Sequence, residues 1–122
     1  MESQAIKDAL NYIKSTNWSE FYRQNEAHDF SDIPEFTNAV RIINDNAEVF
    51  SFWGISVDKI SHTGFYRGVS VDLWILRYGD ATIEFLMSEE YEVLLRSFNY
   101  KFTQAYIDMR QSPEFYPGIS TT

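Results

Sequence analysis

The chain has 122 residues, a formal net charge of −8, 44% apolar residues and 17% aromatics. That length and composition suit one domain with a real core and exclude a disordered polymer. The acidic balance excludes the basic footprint that nucleic acid or an anionic membrane requires, and the absence of cysteine excludes disulfides and thiolate chemistry.

No apolar run reaches transmembrane length, and the first residues lack the apolar core of a signal peptide. The expectation is a cytoplasmic protein that neither enters a membrane nor binds nucleic acid directly. Residues 3–14 place Ile6, Ala9, Leu10 and Ile13 on one face at helical spacing, which predicts an amphipathic helix. Asn17 followed by Glu20 is a variant capping box and predicts a second helix over 18–27, with Trp18, Phe21 and Tyr22 on its apolar side. Asp32, Pro34 and Glu35 signal the start of a third, over 33–46, with a stripe of Ile33, Phe36, Val40, Ile43 and Ala47. Helix reaches about Phe50, and Phe52-Trp53-Gly54 reads as a bend or the beginning of a strand.

A three- to four-stranded antiparallel meander is expected over about 50–88. Val57–His62 is its outer strand. The connector from Thr63 to Gly68 is either a loop or, if the strand runs on, a tighter turn at Arg67-Gly68. Gly79-Asp80 between apolar runs is a two-residue hairpin signal, because glycine accepts the positive φ of such a turn. Tyr78 then faces Ala81, Leu76 faces Ile83 and Trp74 faces Phe85. One face carries Trp74, Leu76, Tyr78, Ile83, Phe85 and Met87; the other carries Val71, Leu73, Ile75, Arg77, Thr82, Glu84 and Leu86. Ser88 with Glu89, Glu90 and Glu92 has the form of a helix start. Tyr91, Leu94, Leu95, Phe98, Phe102, Ala105 and Met109 then predict one long C-terminal helix over 89–111, packed on the sheet. The fold class is α+β, with residues 1–111 as one domain and 112–122 as a partly ordered tail holding Phe115 and Tyr116.

The chemistry is sparse. His28 and His62 are the only histidines, and His28-Asp29 between Glu26 and Asp32 matches no recurrent metal spacing. No nucleophile, phosphate-loop or cofactor motif occurs, so no catalytic residue, metal or cofactor is assigned. Asp72 lies on an otherwise apolar face, so it is either a rim residue or, if buried, the partner of a base such as Arg67.

Two functional expectations follow. Eight acids stand against Arg23 and Arg41 between Glu20 and Asp58, a net −6 for that window. A non-enzymatic inhibitor module fits this, engaging a basic protein through Glu26, Asp29, Asp32, Glu35, Asp45, Glu48 and Asp58 as steering charges. Trp53, Phe65 and Tyr66 would be its aromatic anchors. Immunity proteins of bacterial toxins and phage anti-defence proteins have a similar compositional profile. The alternative is a small-molecule sensor or small enzyme. Its aromatic pocket would lie between sheet and C-terminal helix, lined by Trp74, Phe85 and Phe98, with His62, Arg67 and Asp72 at the mouth. Self-association as a homodimer through the outer strand is a further possibility that this pattern allows.

Overall fold

The computed structural model describes residues 3–23, 33–99 and 104–117. Four helices precede the sheet: α1 (Gln4–Ser15), α2 (Trp18–Arg23), α3 (Pro34–Asp45) and α4 (Ala47–Phe52). The strands are β1 (Ile55–Tyr66), β2 (Val69–Tyr78), β3 (Ala81–Ser88), β4 (Val93–Arg96) and β5 (Phe115–Pro117), with α5 (Gln104–Gln111) between the last two. All pairings are antiparallel, in the order β4-β3-β2-β1-β5.

Local chemistry accounts for the helix boundaries. The Ser3 hydroxyl accepts the Ile6 N–H at 3.2 Å and opens α1, and Asn17 Oδ1 accepts the Glu20 N–H at 3.1 Å and opens α2. Of the second predicted helix, the part beyond Arg23 lies outside the described residues, as does Asp32, the expected cap of α3. Pro34 occupies the first turn of α3, where its missing N–H is harmless. Asn46 then breaks the helix. Its backbone leaves the helical region (φ −132°, ψ 45°) while its side-chain amide donates to the Ile42 carbonyl at 2.8 Å. The chain restarts at once as α4.

The β2–β3 hairpin has the register the sequence implies, with Tyr78 opposite Ala81, Leu76 opposite Ile83, Trp74 opposite Phe85 and Asp72 opposite Met87. Gly79 takes φ +58° in the turn. The sheet is apolar on both faces, so it is covered on both. Helices α1–α4 pack Ile13, Phe36, Val40, Ile43 and Phe50 against Trp74, Leu76, Ile83 and Phe85. The opposite face holds a smaller cluster of Tyr66, Val71, Leu86, Leu94, Leu95, Ala105, Met109 and Phe115.

The C-terminal half of the chain differs from expectation. There is no helix over 89–99. The Ser88 hydroxyl does accept two following N–H groups, those of Glu90 and Glu92 at 3.2 and 3.0 Å. The bonds close a turn instead of opening a helix, because Tyr91 takes φ +64° and reverses the chain. Val93–Arg96 then pairs with β3, placing Phe85 opposite Arg96 and Leu86 opposite Leu95. Residues 100–103 lie outside the described residues, and after them the chain is helical as α5, with Ala105 and Met109 buried one turn apart. Residues Phe115–Pro117 lie beside Gly64–Tyr66 as β5, which makes five strands where three or four were expected.

Candidate functional site

Two regions gather the residues singled out above. The first is at the far end of the helix-covered face, on β1 and β2. Asp72, only 8% exposed, holds Lys59 Nζ at 3.5 Å and His62 Nδ1 at 3.2 Å. It is therefore buried and partnered, not a rim residue, and its partners are not Arg67. Arg67 turns at φ +54°, pairs with Glu114 at 3.3 Å and lies 5.1 Å over the Tyr66 ring. Two bulges in β1, at Lys59/Ser61 and His62/Gly64, explain the cluster. In an unbroken strand Lys59 and His62, three apart, would face opposite ways. The first bulge resets the alternation, so both face Asp72.

Ser70 Oγ lies 3.4 Å from the same His62 nitrogen that meets Asp72. A Ser–His–Asp relay needs the acid on one ring nitrogen and the hydroxyl on the other. With its proton directed to Asp72, Nδ1 has no lone pair to take the serine's proton. The group is a Lys59–Asp72 ion pair with His62 against the same carboxylate, edged by the exposed ring of Phe65 at 5.2 Å from His62. Among the described residues no group of three or more His, Asp or Glu side chains is placed to hold a metal ion.

The remaining residues of the expected pocket are filled core. Trp74 and Phe85 stack at 6.5 Å, and Phe36 of α3 meets Phe85 edge-on at 4.8 Å. Phe98 packs at the margin of the same cluster. The helix over 89–99 that would have roofed the pocket is absent, and α3 covers these rings instead. Beside them Arg96 is buried, with Nε donating to the Phe21 carbonyl at 2.8 Å and Cζ 4.2 Å over the Phe21 ring. Burial pushes its pKa down to about 10.

The described acids of the 20–58 window do not converge. Glu26, Asp29 and Asp32 lie outside the described residues. Glu35 borders an open groove of about 490 Å³ with Pro34, Thr37, Asn38 and Arg41. Burial first, and then Glu35, raise the Tyr12 hydroxyl to about 12. Asp45 lies ten residues further along α3, roughly 15 Å away at 1.5 Å per residue. Asp58 points to the other side of the sheet, where it pairs with Arg77 at 3.7 Å. Of the expected anchors, Tyr66 is fully buried, while Trp53 and Phe65 are exposed.

The second region is the α3–α4 corner. Asp45 and Glu48 stand there without an ion pair among the described residues, beside a shallow hollow of about 340 Å³ lined by Asn44 to Val49. Phe52 follows Glu48 by four positions and so shares its side of α4. It is 84% exposed, and its ring meets the 40% exposed ring of Trp53 at 80° and 5.6 Å. Lys14, from the last turn of α1, lies with Nζ 4.6 Å from the Trp53 ring centre. The helix ends on Gly54 at φ +76°, where the surroundings are open and only the backbone conformation calls for glycine. Sequence reasoning missed Phe52 because the helix continues through it. Within Ala47–Phe52, Phe50 faces the core, which leaves Phe52 on the acidic side.

No family model matches the chain, and no curated protein or solved structure matches it either. Among the described residues no helix is long and apolar enough to cross a membrane.

Proposed function

We propose that the protein is a non-enzymatic binding module that engages a basic protein and inhibits it by covering a basic surface. One observation carries this reading: the α3–α4 corner sets a nearly fully exposed Phe52, edge-on to Trp53, in the segment that also carries Asp45 and Glu48, two acids that make no ion pair among the described residues. Large exposed rings are the side chains that anchor interfaces. Acids around such an anchor attract a basic partner over distance and reject an acidic one. Glu35 and Asp58 stand apart from this corner and contribute at most to the long-range field.

Affinity capture from the native host tests it. The wild-type chain is expected to retain a basic protein, and retention falls as salt rises. Phe52→Ser and the pair Asp45→Asn/Glu48→Gln should each lose that protein while keeping the wild-type circular dichroism. Equal retention by all three chains overturns the proposal.

A further inference from the structure

We propose that Phe52 and Trp53 form a seat for an arginine side chain of the partner, and that Lys14 is the chain's own occupant of that seat, displaced on binding. This rests on the reading just given and names the chemistry of its contact. A cation within about 6 Å of an indole face is drawn to the ring's negative surface. Lys14 Nζ, 4.6 Å from the Trp53 centre, shows that this ring accepts one. Phe52 stands edge-on to Trp53 at 80° and 5.6 Å, and both rings are exposed. Clustered aromatic rings are one way proteins hold cationic groups.

The occupant is arginine for physical reasons. A guanidinium is less strongly hydrated than an ammonium, and its plane stacks on an indole. It therefore gives up less than Lys14 on entering the corner. Glu48, on the same side of α4 as Phe52, adds charge attraction. Other cations in the molecule also lie over rings, but in other surroundings. Arg96 is sealed under Phe21, and Arg41 covers a half-buried Tyr91.

A fluorescein-labelled tri-arginine peptide, followed by anisotropy at low ionic strength, tests the seat; a tri-citrulline peptide is the uncharged control. The wild-type chain is expected to bind the first and not the second, and Trp53→Leu to weaken binding about threefold or more. Lys14→Met should tighten binding about two- to fivefold, the range that an exposed cation–ring contact converts to. Lys7→Met makes the same charge change on the same helix, away from Trp53, and should leave affinity unchanged. The seat is overturned if Trp53→Leu binds as the wild type does. It is equally overturned if Lys14→Met and Lys7→Met behave alike. Should Lys14→Met prove neutral while Asp45→Asn/Glu48→Gln still abolishes capture of the partner, the seat falls and the binding reading stands. Capture that survives every corner variant sinks that reading, whatever the peptide does.

Discussion

Arg96 is a charge taken out of water with little in return. Its Nε donates to the Phe21 carbonyl and it lies over the Phe21 ring, and its Nη1 has no hydrogen-bond partner among the described residues. Burial lowers its pKa to about 10, so the charge costs more in the folded chain than in the unfolded one. The sign follows: its charge weighs against folding at every pH below about 10, and the penalty is relieved only as pH rises above that value. Arg96→Met keeps most of the volume and removes the charge. It should change stability by less than about 1 kcal/mol, or raise it, because buried ions are often replaced without loss by apolar side chains. Arg96→Ala leaves a cavity under Phe21 and should cost about 2–4 kcal/mol. Urea unfolding of the two variants separates the outcomes. Glu84 carries the opposite ionisation. Desolvation raises its pKa, more than Arg77 lowers it. Its contribution is favourable in acid and is lost as pH rises through the raised folded-state value. Glu84→Gln should therefore stabilise the protein at neutral pH by up to about 0.5 kcal/mol, and the two unfolding midpoints should converge as pH falls below the ordinary carboxylate range. At this scale the sequence revealed identities but not partners. That Asp72 would matter was visible in its place on an apolar face. That Lys59 and His62 would both reach it was not, since their spacing puts them on opposite faces unless a bulge intervenes.

Elements were legible where one signal acted alone. The Gly79-Asp80 turn and the alternation on either side of it specified the β2–β3 register residue by residue, because a one-residue slip would turn every core side chain outward. Asn17 named its helix start for a related reason: a short polar side chain before an apolar stripe has one economical use. Between Ser88 and Gln111 two signals competed. Tyr91, Leu94, Leu95 and Phe98 recur at helical spacing, yet a short apolar run buried on both sides has no period of its own. Tertiary context decided, with Val93 reaching the larger cluster and Leu94 and Leu95 the smaller one. Val93 discriminates between the two arrangements, for it lies off the helical stripe but is fully buried in β4. Val93→Ala should cost about 2 kcal/mol from lost burial and the cavity left behind. In a helix with Val93 outward the same change would be close to neutral. Thermal or urea unfolding decides between them.

Across the whole molecule the −8 charge is organised, and its organisation bears on the binding reading. Several acids are locally answered: Asp58 by Arg77, Asp72 by Lys59, Glu114 by Arg67. Among the described acids that make no ion pair, two sequence-local groups matter for this reading. Asp45 and Glu48 stand at the α3–α4 corner, just ahead of Ile55, which pairs with Tyr78. Glu89, Glu90 and Glu92 stand at the β3–β4 turn, where the Glu89 N–H donates to the Ser70 carbonyl at 3.1 Å. These are opposite ends of β2, and eight residues of strand between Ser70 and Tyr78 separate them by about 27 Å. That exceeds the screening length of about 8 Å at physiological salt several times over, so each pole acts on an approaching partner largely by itself. Removing equal charge from each pole then locates the interface without presupposing its contacts. With the captured partner in stopped flow, Asp45→Asn/Glu48→Gln should slow association at least about threefold and flatten its salt dependence. Glu89→Gln/Glu90→Gln takes away the same two charges and should leave the rate within about 1.5-fold of wild type. Equal slowing by both pairs would mean that net charge alone draws the partner in, and the reverse order would move the interface to the β3–β4 turn.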